Sequence, residues 1–127
     1  MELLNGEIFV GYEALGELSK KDLPVKISFG LAKLKIALGP LYEAIAIIRT
    51  DLIKKYGEED KETPGNFGIK PNSPNMLKFQ DDIIPLMMEK VEVAVDKVVL
   101  PLEVDGKPFN VSADVLASLD KLIEIEG

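Results

Sequence analysis

The stretch that decides the fold is IALGPLYEAIAII, residues 36–48. It lies inside the most regular apolar pattern of the chain, yet it carries Gly39-Pro40, a pair that ordinarily stops a helix. Around it Ile27, Leu31, Leu34, Leu38, Leu41, Ile45, Ile48 and Leu52 alternate steps of four and three, and all are leucine or isoleucine. That spacing is a heptad seam of the coiled-coil or antiparallel-hairpin type. Pro40 has no N–H for the Ile36 carbonyl and crowds it, which bends or breaks a helix. A break would release the apolar phase on either side, but the step from Leu38 to Leu41 stays in register. The spacing therefore predicts one continuous helix over 25–56, hinged at Gly39 and Pro40. The competing reading is two helices, with Pro40 at the first position of the second.

A helix this long measures roughly 46 Å, against a radius of gyration of about 14 Å for a compact domain of this size. It must wrap the rest of the fold or pack against another copy. The eight seam residues, together with Arg49, are therefore the interface candidates of an expected homo-oligomer.

Outward from the seam, residues 6–20 read as a first helix, with Asn5 as N-cap and Glu7 near the positive end of the dipole. Leu4, Ile8, Gly11, Leu15 and Leu18 form its apolar stripe, and Gly11 and Gly16 suggest close approach of another helix. The residue before Pro24 is pushed out of the helical region, which ends it. Gly57 reads as the stop of the long helix, with Lys54 and Lys55 in its last turn. Residues 57–75 form a polar loop with a short extended piece at NFGIK. Ser73-Pro74 opens a third helix over 74–89, with Pro85 as an early end or kink. VEVAVDKVVLPLEVD, from Val91, reads as one or two strands, and DGKP as a turn. Ser112 caps a last helix over 113–124, with Val115, Leu116, Leu119, Leu122 and Ile123 inward. The expectation is one mostly α domain with a small β element, α+β overall.

Composition removes several kinds of chemistry. The chain has 127 residues, 46% of them hydrophobic and 29% charged, which suits a globular domain. No apolar run is long enough to span a bilayer and no basic leader precedes an apolar core, so no membrane and a cytoplasmic location are expected. There is no cysteine and no histidine, which removes disulfides, thiolate metal sites and the commonest general base. Arg49 is the one arginine, and the net charge of −7 repels a polyanion, so nucleic acid is excluded as a partner. Charge is uneven: residues 26–56 carry six basic and two acidic side chains, residues 76–127 five basic and eleven acidic. The two surfaces could meet each other, or the acidic one a basic partner.

No nucleophile–base pair can be assembled, so no catalytic residue, cofactor or metal is assigned and the chain reads as a non-enzyme. Asp81 and Asp82 diverge on a helix, and Glu58, Glu59, Asp60 and Glu62 lack the ligand spacing of a calcium loop. Arg49 reads as an ion-pair partner of Asp51 or of another helix's carboxylate, or as an interface anchor. Tyr12, Tyr42 and Tyr56 read as packing residues, and Met87 and Met88 as adaptable core filling.

YEALGELSKKDLPVKISFGLAKL, followed by a long helix that ends in LIKKYGE, resembles a group of small uncharacterised proteins encoded by bacteriophages and prophages. The resemblance covers most of the chain. It implies a short first helix, an LPVK turn, a long helix, a polar loop and a leucine-rich end. Gly39-Pro40 departs from that pattern, in which the long helix runs without the pair. The group supplies no catalytic residues. It implies a small accessory protein: a self-associating structural or assembly factor, an acidic inhibitor that binds a basic host or phage protein in the host cytoplasm, or an oligomer that sequesters a small ligand.

Overall fold

The structure, a computed structural model, describes residues 1–126. In chain order its elements are β1 (Glu2–Leu4), α1 (Asn5–Leu18), α2 (Val25–Tyr56), β2 (Glu58–Glu59), β3 (Phe67–Gly68) and α3 (Pro74–Met87). Then follow β4 (Lys90–Glu92), β5 (Val98–Leu100), β6 (Glu103–Val104), β7 (Lys107–Pro108), α4 (Ala113–Ser118) and β8 (Ile123–Ile125). The fold is mostly α with a small β element, as the periodicity predicts.

Helix α2 runs unbroken through Pro40 for 32 residues. The reason lies in which side the proline takes. Pro40 is exposed, and Ile36, whose carbonyl loses its donor, is itself 76% exposed, so water can satisfy that oxygen. The buried side of the helix keeps its ladder. Gly39 faces α1, where an added Cβ would stand 3.6 Å from the Tyr12 ring. Gly57 ends the helix in an extended conformation, at φ −95°, rather than a left-handed one. A Cβ there would meet the Ile53 carbonyl oxygen at 2.5 Å and that of Gly68 at 2.7 Å.

Helix α1 begins one residue earlier than its pattern suggests. Asn5 is its first residue, not its cap, and its side chain is turned onto α3 instead. Glu7 accepts from the Leu4 N–H at 2.8 Å, which satisfies one of the orphan donors of the first turn. Ser73 caps α3 by accepting from the Met76 N–H at 3.1 Å, with Pro74 as first helical residue. Pro85 is accommodated within α3, which runs to Met87.

The strands pair two by two. β1 pairs antiparallel with β4, Leu3 opposite Val91, and β5 pairs parallel with β8, Val98 opposite Ile123. Two hairpins complete the set, β2–β3 and β6–β7, the latter turning on Asp105 and Gly106 with positive φ of 53° and 76°. The last helix is shorter than its apolar stripe implies. α4 stops at Ser118, and Ile123 belongs to a strand. Its stripe nonetheless lands in the core, with Leu119, Leu122 and Ile123 all buried.

Around α1 the core closes. Leu3, Ile8, Leu15 and Leu18 meet Leu31, Leu34, Leu38 and Ile45 of α2 on one side, and Val93, Leu100, Leu119 and Leu122 on the other. Each buried leucine or isoleucine contributes about 1.5–3 kcal/mol. Gly11 is what lets the end of α4 and the segment after it approach: a Cβ there would stand 3.0 Å from Leu122 Cδ1 and 3.5 Å from the Ser118 carbonyl oxygen. Gly16 has nothing within 4 Å and plays no such part.

Candidate functional site

The structure divides the seam of α2 in two. Leu31, Leu34, Leu38 and Ile45 are at most 4% exposed, and Ile27 and Leu41 pack against the same core. The four buried residues spend their apolar area inside the chain and offer none to a second copy, while Ile27 and Leu41 stay half-buried. Those four seam positions therefore face the core rather than an interface. Ile48 lies outside that core at 43% exposure, and Leu52 is half-buried.

Arg49 is also placed differently. It makes none of the salt bridges among the described residues and lies over the Phe9 ring at 5.9 Å. Phe9 stacks on Tyr42 at 5.0 Å and Tyr42 on Tyr12 at 4.5 Å. Tyr42 donates to Glu13 at 3.0 Å; partial burial first, and then the bond to that carboxylate, push its phenol pKa up. This surface cluster fastens α1 across α2. Tyr56 likewise donates to Asp82 and fastens α2 to α3.

The opposite side of α2 holds a second apolar row. Val25, Ile36 and Ile47 are spaced by eleven residues, as are Phe29 and Pro40. Eleven residues make about three whole turns, so the row runs straight along the axis. Val25 is 85% exposed, Phe29 61%, Ile36 76% and Ile47 61%. Ala32 and Ala44 on the same side are exposed too. The row was legible in the sequence, but the stronger heptad on the other face masks it. Isolated exposed apolar side chains are ordinary; a continuous row of them on one helix is not.

The row carries charge in two halves. Lys26 and Lys33 stand in its N-terminal part, Glu43 and Asp51 in its C-terminal part, and all four are exposed. Beside its N-terminal half, a shallow open groove separates α2 from residues 94–101. Two adjoining clefts of about 410 and 460 Å³ share Gly30, Lys97 and Val98. Gly30 forms their floor, since a Cβ there would stand 3.1 Å from Val98 Cγ2.

Among the described residues no group of three carboxylates could hold a metal ion, and no helix is long and apolar enough to cross a membrane. The titration of the Glu7 carboxylate is displaced. Burial would raise it, but the Leu4 N–H and the Lys121 ammonium at 2.9 Å outweigh that, leaving its pKa below the ordinary range. Glu7 and Lys121 line a small cleft of about 90 Å³ between α1 and the segment after α4. Comparison of the chain with protein-family models, with curated proteins and with solved structures gives no match.

Proposed function

We propose that the protein is not an enzyme and acts by protein–protein contact, as a self-associating structural or assembly factor that uses the outer face of α2. The observation that carries this reading is the row Val25, Phe29, Ile36 and Ile47, exposed along one side of a 32-residue helix whose other side is already packed. Desolvating such a row is a driving force for association, and a continuous helix already formed in the monomer presents it with little ordering cost. No titratable constellation competes with this reading, because the displaced groups Glu7 and Tyr42 both serve packing contacts. In the phage setting that the sequence resemblance implies, the role is that of an accessory or assembly protein.

The test is absolute mass in solution by light scattering, over a wide concentration range, for the natural chain and for Ile36→Glu. A concentration-dependent rise above the 14.0 kDa monomer that the variant abolishes supports the reading. Monomer throughout overturns self-association. The exposed acidic side chains Glu58, Glu59, Asp60 and Glu62 would then direct the search to a basic heterologous partner.

A further inference from the structure

Resting on that reading, we infer that the occupant of the outer face is the same face of a second copy, laid antiparallel and centred on Leu38. The argument is the distribution of charge along the row. Lys26 and Lys33 precede its midpoint, and Glu43 and Asp51 follow it. A parallel pair would set Lys33 beside Lys33 and Glu43 beside Glu43, and would align the two helix dipoles. An antiparallel pair sets each basic half against an acidic half and opposes the dipoles.

Charge also selects the register. In an antiparallel pair, facing residues have numbers with a constant sum. With the centre at position 38, Lys33 faces the partner's Glu43, and Lys26 stands next to the partner's Asp51. The same register sets Phe29 opposite the partner's Ile47, Ile36 opposite the partner's Pro40, and Ala32 opposite the partner's Ala44. Phe29, Ile36 and the alanines meet apolar partners and Lys33 meets Glu43, while Val25, at the solvent-exposed end of the stretch, faces the partner's Asp51. Centring the pair on Ile36 instead would put Phe29 against the partner's Glu43 and desolvate a carboxylate on an aromatic ring. Lys54 falls beyond the paired stretch, past the start of the partner's helix. The paired face from Val25 to Asp51 is about 39 Å long, one helix wide, which places the contact at the small, reversible end of specific interfaces.

The experiment is a charge swap read by sedimentation equilibrium at low salt. Lys33→Glu and Glu43→Lys each turn two symmetry-related attractive contacts into repulsive ones, and each is expected to weaken dimerisation about tenfold. The double variant, Lys33→Glu with Glu43→Lys, re-creates both pairs in reverse and is expected to return to within about twofold of the natural chain. Both positions are exposed, so the fold is expected to be unchanged, with circular dichroism of each variant as the check. A dimer that neither single variant weakens overturns the register while leaving self-association standing. A natural chain that stays monomeric up to about 1 mM overturns both. The chain has no cysteine, so Lys33→Cys with Glu43→Cys adds a second readout. Oxidation is expected to give a covalent dimer, and a failure to cross-link an existing dimer counts against the register.

Discussion

The Asn5 side chain donates to the Leu86 carbonyl at 2.9 Å, across 81 residues of chain, and the Asn5 backbone N–H donates to the Glu89 carbonyl at the same distance. A buried amide at the start of α1 thus occupies the carbonyl end of α3. Among the described residues only Asn5 is both polar and buried, and this contact explains its burial. It also fixes where the two helices meet, since Gly6 sits against the Met87 carbonyl, 3.3 Å from where its Cβ would be.

Asn5→Ala is expected to lower stability by about 1–2 kcal/mol, read as a shift in the urea midpoint with an unchanged slope. Asn5→Asp is expected to cost more at neutral pH, because a carboxylate cannot donate and would face a carbonyl oxygen. That extra loss should fade as the pH falls through the carboxylate range and the side chain regains a proton to donate.

Two glycines, one inside α2 and one just past its end, should respond in opposite directions. At Gly39 a methyl group would make ordinary contact with the Tyr12 ring, so Gly39→Ala removes a flexible residue from a helix interior at no steric cost. It is expected to stabilise by about 0.5–1 kcal/mol, which strain relief at Pro40 would not produce. At Gly57 the same change drives a methyl into the Ile53 and Gly68 carbonyl oxygens. Gly57→Ala is expected to destabilise by about 1–3 kcal/mol and to loosen the β2–β3 hairpin. Thermal melts of the two variants measure both signs.

The regular parts of the fold were legible because local and tertiary signals agree there. The unbroken phase across Leu38 and Leu41 announced a continuous helix despite Pro40, and Ser73-Pro74 and Ser112 marked two helix starts. Legibility failed where a local signal admits two placements. Asn5 is an excellent cap by residue type, but tertiary contact with Leu86 takes its side chain and Glu7 satisfies the first turn instead. The stripe Leu119, Leu122, Ile123 has helical spacing, yet a turn followed by a strand buries the same three residues. The candidate site was misplaced for a different reason. A heptad seam states that a face is buried, not by whom, and α1 plus the C-terminal third cover it from within the chain. The eleven-residue row of Val25, Ile36 and Ile47 was present in the sequence, but it emerges only once the stronger row is known to be occupied.

Glu7 makes stability depend on pH in a defined direction. Its carboxyl titrates below the ordinary range in the folded chain, so the contribution is full above the unfolded value of about 4.3 and is lost as the pH falls through the folded one. Glu7→Gln keeps an oxygen for the Leu4 N–H but loses the ion pair with Lys121. The variant is expected to be about 0.5–1 kcal/mol less stable at pH 7, with the difference shrinking as the pH falls through the lowered folded value. Unfolding in urea at pH 7 and at a pH below that value measures it; a difference that persists at the lower pH would show that charge is not the cause.

Ile36 and Leu38 are two residues apart and occupy opposite sides of α2, one 76% and the other 0% exposed. The same substitution at each separates the two roles of the helix. Leu38→Glu forces a carboxylate into the centre of the core, where it has no partner, and is expected to cost more than about 4 kcal/mol, enough to unfold a domain of ordinary stability. Ile36→Glu adds a charge where water already stands and is expected to change monomer stability by less than about 0.5 kcal/mol. Far-ultraviolet circular dichroism during thermal melting reads both. An Ile36→Glu chain that melts as early as Leu38→Glu would mean that the outer row already supports the monomer, and the face could not then be free for a second copy.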